Sequence, residues 1–170
     1  MKPLQLPQAF DENEWFVIIA IIIAYSVIFW LPKRFPLSLT ILLLLFGSTV
    51  ARIYDHLLSS PDLHLYHIMD TSHYELFDVI AYLLYGPFSY IYIYLYERLN
   101  IQGFWILVYI VTFSLFGTMF EGLTVLFDVF NYHGWELTYS FTVYLMVQST
   151  FILIFYRPIK RFYRLQSTTK

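Results

Sequence analysis

"YIYIYLY", Tyr90–Tyr96, alternates aromatic and aliphatic residues, and the fold turns on whether that period of two is a strand or a coincidence within a helix. A lone strand in hydrocarbon leaves its N–H and C=O groups unpaired, whereas a helix pairs them within itself. The surroundings point to hydrocarbon: the apolar run extends from Leu76 to Tyr96 with Asp78 its only charged residue. Crossing a bilayer takes about 20 helical residues, so the run is long enough to span. Read as a helix, it aligns Tyr82, Tyr85, Ser89, Tyr92 and Tyr96 in one stripe at spacings of three and four, and Gly86-Pro87 marks a kink.

Similar runs occur at Trp15–Leu31, Leu37–Leu58, Gly103–Phe127 and Leu137–Tyr156. The second is long enough only if it continues through Arg52 and Asp55, because its purely apolar part ends at Ala51. The 170 residues are 59% hydrophobic and 13% charged, and soluble domains carry about twice that charge fraction. The expected fold is therefore all-α: a polytopic membrane protein with a bundle of five transmembrane helices. Residues 1–14 form a polar N-terminus, 15–156 a single membrane domain (15–31, 37–58, 76–96, 103–127 and 137–156), and 157–170 a basic tail. Asp11, Glu12 and Glu14 precede the first run, the wrong sign for a cleavable signal peptide, so that run is expected to be a permanent span. No repeat divides the five spans, which disfavours an inverted-repeat transporter within one chain but leaves an oligomeric channel or transporter open.

Orientation follows from the basic residues. With the N-terminus outside, Lys33, Arg34, Arg98, Arg157, Lys160, Arg161, Arg164 and Lys170 are cytoplasmic, and only Lys2 and Arg52 remain outside. The C-terminus is then inside and the location a cell membrane. A net charge of −2 with a single basic tail argues against nucleic acid. The absence of cysteine excludes disulfides, thiolate metal sites and thiol nucleophiles.

"FGTMFEGLTVLFDVFNYHGW", Phe116–Trp135, places Glu121 inside an apolar run, where an ionised carboxylate needs a cation. Arg52 lies at a similar depth on the second span, with Asp55 one turn further and Asp78 near the start of the third. Arg52 is expected to pair with Glu121, with Asp55 or Asp78 completing the cluster. Small residues at four-residue spacing, Ser114, Thr118 and Gly122 on one helix and Gly47 and Ala51 on the other, suggest that these two faces approach closely. Such a cluster either fixes helix register or forms a polar pocket that binds a ligand, ion or proton.

The loop "PDLHLYHIMDTSHYELFD" offers a second possibility. On a helix His64, His67 and Asp70 would converge, and with His73 they form a candidate zinc-type site, although no His-Glu-x-x-His motif is present. Trp135 reads as an interface anchor, and Gln148 as a bond to a neighbouring helix. In the tail, Arg157, Lys160, Arg161 and Arg164 alternate with aromatics and suit anionic lipid head groups at the cytoplasmic face. The reading is a non-enzymatic accessory or small-ligand-binding membrane protein. It needs no cofactor, and its partners are the bilayer, a membrane protein or a second copy. The alternative is a membrane-embedded metal-dependent enzyme using the loop histidines.

Three motifs carry a resemblance over most of the chain: "LPKRFP" closing the first span, "YGPFSYIY" in the third, and Glu121 followed by Tyr132 and Trp135. With the basic aromatic end "YRPIKRFYR", they resemble a family of small multipass membrane proteins from spore-forming Gram-positive bacteria. That resemblance implies a bacterial plasma membrane and no particular chemistry. The size is similar to that of the tryptophan-rich sensory or translocator family, whose Trp-Pro-rich signature is missing. Glu121, Asp128, Asn131 and Gly134 follow one another as in the glycopeptide-resistance accessory membrane family, without its intervening Gln and Arg.

Overall fold

The computed structural model describes Pro7, residues 10–59, Leu63, residues 65–70 and residues 75–167, with side chains as far as Tyr163. Its main elements are α1 (Glu12–Trp30), α2 (Leu37–Leu58), α3 (Leu76–Arg98), α4 (Trp105–Leu126) and α5 (Leu137–Thr150). The alternating tyrosine stretch lies within α3 and is helical. Among the described residues, five helices are long and apolar enough to cross a membrane, the architecture of a multipass membrane protein. The fifth qualifies together with a π-helical turn, Phe151–Tyr156, and α6 (Arg157–Ser167), so the tail continues as helix.

Local chemistry explains the helix starts. At α1 the Asp11 carboxylate accepts the Asn13 N–H, and Glu14 Oε2 accepts the Asp11 N–H at 2.9 Å, a capping box. Pro87 sits inside α3, where its missing N–H leaves the Leu83 carbonyl without its intrahelical donor. The Tyr25 hydroxyl of α1 donates to that carbonyl at 3.3 Å, so the proline defect becomes a helix–helix bond.

The bundle divides into two parts. Helix α3 packs against α1 and α2, while α4 packs against α5. The expected close approach of α2 and α4 is not what forms. A Cβ on Gly47 would lie 2.3 Å from the Tyr85 carbonyl oxygen, so this glycine admits α3. On α4, Gly117 and Gly122 face Tyr144 and Leu137 of α5. The two parts meet through aromatic rings: Phe16 stacks on Phe127 at 4.7 Å, Tyr92 on Tyr109 at 5.1 Å, and Phe46 on Phe151 at 4.1 Å. Rings of that size hold the helix backbones apart, and space remains between them.

The loops following α2 and α4 pair with each other. Strands β1 (Tyr66–Ile68) and β2 (Phe130–Tyr132) are antiparallel, with Tyr66 opposite Tyr132, His67 opposite Asn131 and Ile68 opposite Phe130. Amides of His133, Gly134 and Trp135 all donate to the Leu65 carbonyl, at 2.9, 3.1 and 3.2 Å. At the far end of the bundle, Lys160 forms an ion pair with Glu97 at 2.5 Å. Lys160, expected to face lipid head groups, thus has a protein partner, whereas Arg157 and Arg161 are exposed and the side chain of Arg164 lies outside the described residues.

Candidate ligand-binding site

Opposed residues of an antiparallel pair point to the same face of the sheet. Tyr66 and Tyr132 therefore both enter the bundle, and each reaches a carboxylate. The Tyr66 hydroxyl donates to Asp55 Oδ1 on α2 at 2.6 Å, and the Tyr132 hydroxyl donates to Glu121 Oε1 on α4 at 2.5 Å. Burial raises the pKa of both phenols, and the neighbouring carboxylate, Asp55 for Tyr66 and Glu121 for Tyr132, raises it further. Each tyrosine keeps its proton and acts as a donor.

Glu121 is satisfied without a cation. Its Oε1 also accepts from Ser140 at 2.5 Å, and its Oε2 accepts from the Tyr144 hydroxyl at 2.8 Å. Trp135 Nε1 donates to Ser140 Oγ at 2.7 Å, so this residue extends the network. The expected Arg52–Glu121 ion pair does not form: among the described residues Lys160–Glu97 is the only ion pair within 4.0 Å. The Arg52 guanidinium lies 5.4 Å from the centre of the Tyr82 ring and donates to its hydroxyl at 3.3 Å. Hydroxyls suffice because three of them converge on one carboxylate, which spares the desolvation of a second full charge.

Asp55 differs. It is buried, with Oδ1 held by Tyr66, while Oδ2 makes no hydrogen bond within 3.5 Å, although the Tyr82 hydroxyl and the Arg52 guanidinium also act on this carboxyl. Asp55 and Glu121 line one cavity of about 180 Å³, in the space between the two parts of the bundle. The rest of its wall is mainly apolar and aromatic, and Tyr82, Tyr85, Ser89 and Tyr92 of the α3 stripe belong to it. Of the four residues grouped by sequence, Asp55 and Glu121 therefore share the cavity. Arg52 and Asp78 are not among its lining residues. Asp78 Oδ2 accepts the Glu75 N–H at 2.8 Å at the start of α3, a helix-capping contact.

The residues that sequence reasoning missed are the hydroxyl donors. Ser140 and Tyr144, four apart on α5, carry a signal, since that spacing puts both on one helix face. Tyr132 carries none, because its role depends on pairing with a strand far away in the chain. Gln148 does bond across helices as expected, accepting from Ser114 of α4 at 3.2 Å.

The histidines of the loop lie only partly within the described residues. His67 lies in a strand, so the helical convergence with Asp70 does not occur; His64 and His73 lie outside the described residues. His67 Nδ1 is 2.6 Å from His133 Nε2, with the rings stacked at 4.7 Å. Burial and the facing His133 lower the pKa of His67. Asp70 accepts instead from Asn13 Nδ2 at 2.7 Å.

No family model, curated protein or solved structure matches this chain.

Proposed function

We propose that this protein is a non-enzymatic membrane protein that binds a small lipophilic molecule carrying a cationic, hydrogen-donating head. The observation that carries this reading is the buried Asp55 Oδ2, an oxygen without a hydrogen-bond partner on a residue that lines a mainly apolar and aromatic cavity. A buried carboxylate oxygen left unpaired is costly, and a ligand ammonium would satisfy it. The tyrosine faces along the wall add cation–π attraction, the means by which aromatic cages hold ammonium groups. The apolar remainder suits an alkyl or aryl body.

The site is proposed to lie near the outer surface of a bacterial plasma membrane. The resemblance noted above supports the membrane, and the excess of Lys and Arg in the other set of loops supports the orientation. The test uses the protein in nanodiscs and a photoreactive octylammonium, with octanol and octanoate analogues of the same length. The expected result is labelling of α2, α3 and α4 by the ammonium probe, about tenfold above the neutral analogue, competed by unlabelled octylammonium and lost in Asp55→Asn. Equal, non-saturable labelling by all three probes would sink the proposal.

A further inference from the structure

Asp70 follows Met69, a fully buried residue whose φ of 60° turns the chain sharply after β1. The turn brings Asp70 to the start of α1, where Asp11 and Glu14 each offer a carboxylate oxygen, and the three ligand atoms lie within 4.8 Å of one another. The capping box accounts for Asp11 and for one oxygen of Glu14. It does not include the third carboxylate, Asp70, whose Oδ1 accepts from Asn13 Nδ2 at 2.7 Å.

Nor does it account for Glu14 Oε1. Glu14 has a relative exposure of 0%, and this oxygen has no hydrogen-bond partner. Among the described residues, none of the three acids forms an ion pair, and Asp11 and Asp70 line a cleft together with Glu12 and Asp128, with Glu14 buried behind it. Like charges this close repel one another strongly unless a cation lies between them.

We infer that Asp11, Glu14 and Asp70 hold a divalent cation of the calcium class, which ties the start of α1 to the paired strands β1 and β2. The ligand chemistry selects the ion. Three carboxylate oxygens with no sulfur or imidazole form a hard-oxygen set, which suits calcium or magnesium rather than zinc. His67 shares the cleft, but its Nδ1 faces His133. Calcium–oxygen distances of about 2.4 Å allow two ligands of one ion to stand up to about 4.8 Å apart, whereas magnesium, at about 2.1 Å, needs a tighter cage. Water and carbonyl oxygens complete the coordination shell.

The inference is independent of the ligand proposed for the central cavity, and its test reads the metal directly. The full chain in nanodiscs is stripped with chelator and titrated with terbium, whose luminescence is sensitised by nearby aromatic residues such as Trp15. Calcium is then added as competitor. The expected result is saturable terbium emission displaced by calcium at about 0.1–1 mM, the range of extracellular calcium modules, with magnesium weaker. Calcium at about 5 mM should raise the melting temperature by about 3–5 °C. Asp70→Asn keeps the size of the side chain and an acceptor for Asn13, and it should abolish both effects while raising the calcium-free melting temperature slightly, because one of the mutually repelling charges is gone. No terbium site in the unmodified protein, an equal calcium response in Asp70→Asn, or displacement by zinc at lower concentration than calcium would each overturn the inference.

Discussion

The two ends of the bundle use tyrosine in opposite ways. At the end where β1 and β2 pair, Tyr66, Tyr132 and Tyr144 donate to the carboxylates Asp55 and Glu121. At the far end, Tyr109 donates to the backbone carbonyl of Tyr92, Tyr92 donates to that of Gln148 at 3.2 Å, and the rings stack into an apolar core with Ile93, Phe151 and Ile152. In the first region the ring is a strut that delivers a proton donor to a charge. In the second it is filling, and the hydroxyl only closes a helix contact. One residue type serves both ends because it combines a large apolar ring with a polar tip, and the tertiary partner decides which part matters.

The largest effect is expected where one acceptor serves several donors. Glu121→Ala should leave the hydroxyls of Tyr132, Ser140 and Tyr144 without their acceptor, at about 1 kcal/mol each or more, so a loss of about 3–4 kcal/mol is predicted. Thermal unfolding in nanodiscs measures it, and a loss under about 1 kcal/mol would mean that the network contributes little. Gly47→Ala probes the seam between α2 and α3 that both ends share. With a carbonyl oxygen 2.3 Å from the new Cβ, overpacking should cost about 2–3 kcal/mol, seen as a lower melting temperature. Tolerance of alanine would show that the two helices are not in such close contact.

A direct comparison of the ends pairs Tyr132→Phe with Tyr92→Phe. A bond to a charged acceptor is worth about 1.5–3 kcal/mol and one to a neutral carbonyl about 1, so the first variant should lose about twice as much. Equal losses would erase the distinction drawn here.

The smallest effect is a pH dependence on the outside of the β1–β2 pair. His67 has a folded pKa below its ordinary 6.5, so the folded state binds less proton than the unfolded chain. Its contribution is present above about pH 6.5 and is lost as pH falls below that value. Melting temperatures between pH 8 and 5 should fall less in His67→Gln than in the unmodified protein. An identical fall in both would assign the pH dependence to other groups.

Much of the fold was legible in the sequence. The boundaries expected for the second span, Leu37–Leu58, are those of α2, and the third span was expected to start at Leu76, as α3 does. The capping residues Asp11 and Glu14, by contrast, were read only as charge ahead of a span. The candidate site was half legible: Asp55 and Glu121 stood out because a carboxylate inside an apolar run has few explanations. Their partners did not stand out, since Tyr66 and Tyr132 are ordinary loop aromatics until β1 meets β2.

The sequence by itself determined that this chain forms five apolar helices, because the cost of exposing backbone to hydrocarbon is local and can be read from length and composition. Only the tertiary structure decided which helices touch, because Gly47 favours close approach without naming the partner that fills the space. It also decided that hydroxyls rather than Arg52 satisfy Glu121, that Asp55, which lines a cavity, keeps an oxygen without a hydrogen-bond partner, and that Asp70 joins Asp11 and Glu14. Each of these depends on groups brought together by two loops pairing across half the chain, and no local pattern encodes that meeting.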